Sequence, residues 1–210
     1  IELLRIDEDK RHDSAERKKF LNAADVAFLC LPDDGAREAA AMVENPDTCI
    51  IDASTAHRTA EGWTYGFPEL SGEQRAAIQA SRRIANPGCH ATGLISSTAP
   101  LVRMGILPAD YPLTCFSLTG YSGGGKKMIA EYEAPERDER LASGRLYALT
   151  QKHKHLPEMV KVCGLAHPPV FVPVVEDFYK GMATTILLQS ALLAKPVTGQ
   201  ELRDALAEYY

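Results

Sequence analysis

VAFLCLPDDGAREAAAMVENPDTCIIDA, residues 26–53, holds two apolar runs on either side of a helical pattern. Val26 to Leu31 and Thr48 to Ala53 have strand length, and Asp34 to Val43 between them spaces its apolar residues for one face of a helix. A strand, a helix and a strand joined this closely form a crossover unit whose strands lie parallel. The rhythm extends outward. Upstream, ELLRI at residues 2–6 reads as a strand and Asp13 to Ala23 as a helix. Downstream, Ser71 to Ala80 reads as a helix opened by Ser71 with Gln74 in the capping-box position, and Arg83 to Ala85 as a short strand. The reading for residues 1–85 is α/β, a parallel sheet with helices on both faces. Ligands of such sheets gather at the carboxyl ends of the strands, here Leu31-Pro32, Ala53-Ser54 and Ala85-Asn86.

Beyond residue 86 the period changes. A helix is expected from about Cys89 to Arg103 and a strand near Leu113 to Leu118, followed by a Gly-rich loop and a long charged stretch to Gly144. Further strands are expected around Val170 to Val175 and Ala183 to Leu188, and a last helix is capped by Thr198 with Glu201. Residues 86–210 read as an α+β domain carrying the chemistry.

Composition sets the outer bounds. The 210 residues are 45% hydrophobic, 24% charged and 7% aromatic, which excludes collagen-like, disordered and coiled-coil chains and supports a real core in one or two domains. A net charge of -5 argues against bulk binding to nucleic acid or an anionic membrane, so any anionic ligand must be held by a local basic cluster. The longest apolar run, Met182 to Leu188, is broken by Thr184 and Thr185 and is far short of a bilayer span. The chain opens on Ile1 without the blocks of a signal peptide, which reads as a truncated or processed start. Five scattered cysteines without C-x-x-C spacing suggest neither a disulfide framework nor a zinc ribbon and fit a reducing, cytoplasmic setting. Cys30, Cys49 and Cys115 lie in strand-like text and read as small buried hydrophobes.

Four constellations carry chemistry. In Asn86-Pro87-Gly88-Cys89 a tight turn delivers a thiol to the first turn of a helix, whose positive end favours a thiolate and whose backbone N–H groups can receive an oxyanion. The alternative is a structural cysteine beside a turn. In His153-Lys154-His155-Leu156-Pro157-Glu158, a histidine supplies a base of near-neutral pKa with a carboxylate to orient it, against an exposed basic segment or, more remotely, a metal site. In Gly120 to Lys127, consecutive glycines let N–H groups converge on an anion beside Lys126. The G-x-x-x-x-G-K spacing suggests a phosphate-binding P-loop, but Lys127 replaces the hydroxyl that would hold Mg²⁺, and no obvious helix of P-loop character follows. In Asp52 to Arg58, Arg58 can grip a carboxylate or phosphate while Ser54 and Thr55 can contact a cofactor, against a plain turn with a surface arginine. His57 reads as structural or exposed, and His12 and Trp63 carry no functional signal.

Together, DASTAHR (52–58), GFPEL (66–70), ANPGC (85–89), TGYSGGGKKMIAEYE (119–133) and HKHLPEM (153–159) closely resemble the short type of the N-acetyl-gamma-glutamyl-phosphate reductase family. The resemblance implies a Rossmann-type NADP-binding domain, here partial over 1–85, joined to a catalytic and dimerisation domain over 86–210. It implies NADPH-dependent reduction of N-acetyl-glutamyl 5-phosphate to N-acetyl-glutamate 5-semialdehyde in arginine biosynthesis, through a cysteine thioester, by a homo-oligomer whose partner is a small acyl phosphate. On this resemblance Cys89 is the nucleophile, His155 the acid/base, and Glu158 and Tyr147 supporting positions. Arg58, Ser122, Gly123 and Lys126 contact the substrate's anionic groups, and Leu31, Pro32 and Ser54 line the cofactor crevice. His90 stands where the family usually has an aromatic residue, and residues 1–25 contain no glycine for the family's Gly-rich turn. ELLRI resembles the family's second strand, so the chain is expected to be a fragment that binds NADPH weakly. Asp7 could favour a ribose hydroxyl, and Lys10 and Arg11 could accept a 2′-phosphate. Other classes left open are reductases of aspartyl or carrier-linked glutamyl phosphates, a thiol hydrolase and a non-catalytic remnant.

Overall fold

A computed structural model describes residues 1–210 as two compact units, Ile1–Gly88 and Cys89–Tyr210. In the first, α1 (Ser14–Ala23) leads to β1 (Val26–Leu29), α2 (Asp33–Ala41), β2 (Cys49–Asp52), β3 (Thr64–Tyr65), α3 (Gly72–Ala80) and β4 (Arg83–Ala85). The sheet runs β1-β2-β4-β3 and every pairing is parallel. Asp13 caps α1 by accepting from the N–H groups of Ala15 and Glu16, and Ser71 caps α3 by accepting from Gln74. Leu29, Ala39, Val43 and Ile50 form a core cluster under Leu21, Ala40 and Trp63. Asn22 closes that layer: its Oδ1 accepts from Glu44 and Asn45, and its Nδ2 donates to the Met42 carbonyl, fixing the turn that leads into β2.

Three expectations need correction here. ELLRI is not a strand: residues 1–6 carry no ladder pairing, because a strand exists only against a neighbour and β1 pairs with β2 alone. Helices do not cover both faces of β1, since Val26 and Phe28 point outward, exposed at 46% and 69%. Cys30 is exposed because it lies just past the end of β1, while Cys49 is half-buried and Cys115 buried.

The second unit opens on α4 (Cys89–Arg103), followed by β5 (Thr114–Gly120), α5 (Gly125–Tyr132), β6 (Arg145–Leu146), α6 (Leu156–Cys163), β7 (Val170–Glu176), β8 (Met182–Leu187) and α7 (Gly199–Tyr209). Its mixed sheet is ordered β6-β7-β5-β8, with β5 parallel to β7 and antiparallel to β8. Cys115, Ser117 and Thr119 of β5 share its buried face, and Phe116 on the other face is exposed. Pro100 lies inside α4 and has no N–H for the Ser96 carbonyl; the Tyr210 hydroxyl donates to that oxygen at 2.9 Å instead. Arg103 donates to Tyr209 at 2.7 Å, so α4 and the end of α7 are fastened twice. Thr198 and Glu201 form the expected capping box on α7.

The stretch after β5 also differs from expectation, because α5 begins inside the glycine run at Gly125. Its helical residues after the glycines, Lys-Lys-Met-Ile-Ala-Glu-Tyr, bury Tyr132 against Leu141 and Val175, which tertiary packing decides and local glycine content obscures. Gly120 ends β5 where only a glycine fits: a Cβ there would lie 2.7 Å from the carbonyl oxygens of both Phe178 and Tyr179.

Candidate active site

The turn Asn86-Pro87-Gly88 ends the first unit and delivers Cys89 as the first residue of α4. Its thiol is exposed, and no acidic residue stands in the first helical turn. Of the other thiols, burial pushes those of Cys115 and Cys163 up to about 12, leaving them protonated.

The next residue, His90, turns inward and is buried at 2% exposure. Its Nδ1 lies 2.7 Å from Ser117 Oγ on β5, and its Nε2 lies 2.6 Å from the Tyr147 hydroxyl. Ser117 Oγ lies in turn 3.2 Å from Thr184 Oγ1 on β8. The imidazoles of His153 and His155 stand 5.7 and 5.9 Å from the His90 ring, and Phe171 closes against it at 5.2 Å. Burial first and Coulombic repulsion from His153 second lower the His90 pKa to about 4, so the ring is neutral at pH 7. Burial first and the Coulombic influence of Cys89 second push the Tyr147 hydroxyl up to about 12, so it keeps its proton.

His155 precedes α6 and is buried, its backbone N–H donating to His153 Nδ1 at 3.2 Å. Glu158, in the first turn of α6, is buried at 1% exposure. Pro157 fits that turn because its missing N–H would have had no helical partner there. The structure thus gathers Tyr147, His153 and His155 around His90, next in sequence to Cys89. Ser122 and Gly123 lie in a 3-10 turn after β5, and Lys126 stands exposed in the first turn of α5. Sequence reasoning missed His90, Ser117 and Thr184 as members of this cluster. The available signal was Ser117, a hydroxyl at an inward position between Cys115 and Thr119.

In the first unit, Asp52 ends β2 fully buried. It accepts from the Ser54 N–H at 2.9 Å, the Ser54 hydroxyl at 2.7 Å and His57 Nδ1 at 2.6 Å. Ser54 is therefore committed inward. His57 stacks on Trp63 with ring centroids 3.9 Å apart. Thr55 donates to Asp33 through both its N–H and its hydroxyl, clasping the segment after β2 to the start of α2. Arg58 donates to the carbonyls of Ala53 and Asn86, tying the ends of β2 and β4. Leu31 and Pro32 are exposed past the end of β1.

The carboxyl ends of these strands do not offer a phosphate seat at α2. The N-terminus of α2, directly after β1, carries Asp33 and Asp34, whose charge opposes a phosphate at that position. Residues 1–25 contain no glycine for a Gly-rich turn. No group of His, Cys, Asp and Glu is placed to hold a metal, and no helix is long and apolar enough to cross a membrane.

Comparison with known proteins gives this arrangement a lineage. Residues 4–78 match the family model "Semialdehyde dehydrogenase, NAD binding domain", and residues 89–210 match "Semialdehyde dehydrogenase, dimerisation domain". The chain is 49% identical over its whole length to an N-acetyl-gamma-glutamyl-phosphate reductase from Chelativorans sp. (strain BNC1), covering 67% of that protein. It is 46% identical to one from Trichormus variabilis, again over its whole length, and covers 66% of it. The chain thus spans about two thirds of the length of these curated relatives. Among solved structures, aspartate semialdehyde dehydrogenase II of Vibrio cholerae, complexed with ASA, superposes with a TM-score of 0.69 at 15% identity, over 90% of this chain and 61% of that one. That likeness shows the fold: a parallel nucleotide-type sheet followed by a mixed sheet. With a cysteine opening α4 and identities of this size over every residue, the chain belongs to the N-acetyl-gamma-glutamyl-phosphate reductase family of semialdehyde dehydrogenases.

Proposed function

We propose that these residues reduce N-acetyl-glutamyl 5-phosphate to N-acetyl-glutamate 5-semialdehyde, as a step of arginine biosynthesis in the cytoplasm. The observation that carries the reading is the exposed Cys89 at the head of α4, beside the cluster of His90, Tyr147, His153 and His155. The Cys89 thiolate attacks the acyl carbon, and the bond to phosphate breaks with its electron pair leaving on inorganic phosphate, which forms a thioester. The chemistry that a nicotinamide cofactor would supply when bound is a hydride for the thioester carbon. His155 gives a proton to the oxygen of the resulting hemithioacetal and takes it back as the C–S bond breaks, so that aldehyde leaves and the thiolate returns. Glu158 and Tyr147 support that exchange. Ser122, Gly123 and Lys126, on the turn into α5, hold the substrate's anionic groups, and Arg58 adds a further guanidinium for them.

NADP is the cofactor we assign, on the family's preference, with Leu31 and Pro32 at its crevice, Ser54 shaping that crevice from within through its bonds to Asp52, and Lys10 and Arg11 near its 2′-phosphate. We further infer a homo-oligomer. The open face of the second sheet exposes Phe116, Val170 and Leu187, at 38%, 54% and 55%, and a second copy of that face would cover them. Five free cysteines support a reducing compartment.

The test runs the reaction backward. With N-acetyl-glutamate 5-semialdehyde, phosphate and NADP in large excess, which offsets weak cofactor binding, the protein is expected to form reduced cofactor, and Cys89→Ser to abolish it. Equal turnover of aspartate semialdehyde, or an active Cys89→Ser variant, overturns the reading.

A further inference from the structure

We infer that His90 is a positioning residue for the reaction: held between Ser117 and Tyr147, it turns the Tyr147 hydroxyl proton toward Cys89. The inference rests on Cys89 being the nucleophile. The geometry is a chain of four groups, from Thr184 Oγ1 to Ser117 Oγ at 3.2 Å, to His90 Nδ1 at 2.7 Å, and from His90 Nε2 to the Tyr147 hydroxyl at 2.6 Å. A neutral imidazole donates from one nitrogen and accepts at the other, so the two bonds that His90 makes can be polarised in only two directions. In one, Tyr147 donates to His90, His90 to Ser117 and Ser117 to Thr184, and a tyrosine lone pair is left facing the thiolate. In the other, Thr184 donates to Ser117, Ser117 to His90 Nδ1, and His90 Nε2 to the Tyr147 oxygen, which frees the tyrosine O–H.

The charge beside the end of the chain selects between them. Cys89 precedes His90 directly and opens the same helix, and its charge is the second of two causes that raise the Tyr147 pKa. An anion favours the direction that points an O–H at it, because a charge-assisted hydrogen bond is about twice as strong as a neutral one. The chain holds that polarity only if His90 neither gains nor loses a proton, and its pKa near 4 keeps it neutral at pH 7. The charged and titratable groups around it are Cys89, Tyr147, His153 and His155, with Glu158 buried on the neighbouring α6. Gly93, one turn along α4, leaves the room this requires: a Cβ there would collide with Thr184 Oγ1 and displace the first member of the chain. No phenyl or phenol ring at position 90 can do the same, since it lacks two opposed nitrogen atoms.

The chain tests this through the rate of Cys89 alkylation by iodoacetamide at pH 7, with mass mapping of the modified residue. His90→Gln keeps a donor where Nε2 stands and is expected to retain the wild-type rate. His90→Asn keeps only the Ser117 side and His90→Phe neither, and both are expected to lower it about three- to tenfold. Tyr147→Phe should cause the same loss, and the double variant His90→Phe with Tyr147→Phe no more than either alone. Circular dichroism of each variant establishes that it is folded. Equal rates in His90→Phe and wild type, or losses that multiply in the double variant, overturn the inference while leaving Cys89 as nucleophile. If Cys89 in the wild-type chain reacts no faster than the exposed Cys30, the nucleophile assignment falls and the inference with it.

Discussion

Burial of His90 makes the stability of the second unit depend on pH in a way one substitution can isolate. The imidazole has its ordinary pKa of 6.5 in the unfolded chain and about 4 in the folded one, where burial and His153 disfavour its charged form. Above pH 6.5 the ring is neutral in both states and contributes nothing to the dependence. Between 6.5 and 4 the unfolded chain takes up a proton that the folded one refuses, so stability falls as the pH falls. Below 4 both states are protonated and the loss is complete. At about 1.4 kcal/mol per unit, it amounts to about 2 kcal/mol at pH 5 and about 3 kcal/mol at full extent. His90→Gln removes the titration and retains a polar side chain of similar reach, and every other ionisable group is common to both chains. Urea unfolding of the two, followed at pH 7.5, 6, 5 and 4, should show wild type losing ground steadily to the variant, by about 1 M in midpoint at pH 5 for a slope of about 2 kcal/mol/M. A difference that stays constant over this range would refute the claim that His90 is buried in neutral form.

Other perturbations follow from the same geometry. Gly120→Ala sets a methyl group against two backbone carbonyls that cannot step aside and should cost about 1–3 kcal/mol in urea unfolding; a neutral substitution would mean that the Phe178–Tyr179 segment is free to move. Asp52→Ala leaves Ser54 and His57 buried without their acceptor, which should lower stability by about 2–4 kcal/mol, and an unchanged midpoint would show that water replaces it. In the reductase assay, His155→Asn is expected to lower turnover about 10²–10⁴-fold, whereas a mild effect there with a severe one for His153→Asn would exchange the two roles.

How much of this was legible beforehand follows from how local each signal is. β1, α2 and β2 are written in residues 26–53 as apolar runs and spacing, and the caps at Ser71 and Thr198 are short-range chemistry. ELLRI has a strand's composition but no strand, since pairing depends on distant residues. β3 and β6 span two residues each, too short for any period to show, and α5 is hidden by the glycines that start it. At the site, Cys89 could be found from its turn, because Asn-Pro-Gly before a helix serves no packing purpose. His90 could not: its role depends on Ser117, Tyr147 and Thr184, which lie 27 or more positions away in sequence and meet it only through the sheet.

Trp63 is the chain's one tryptophan, and it lies against the core cluster of the first unit, stacked on His57. Its emission therefore watches only one of the two units. Far-ultraviolet dichroism, by contrast, sums the helices of both, among them α4, the longest at 15 residues and part of the second unit. Recorded on one sample during denaturation, the two signals time the loss of the nucleotide-type sheet against the loss of the unit that presents the thiol. Coincident curves would mean that the halves stand or fall as one cooperative body, and separated curves that each folds on its own account. A ring stack that serves packing in the native protein thus becomes a built-in optical label, placed by the sequence without any added dye.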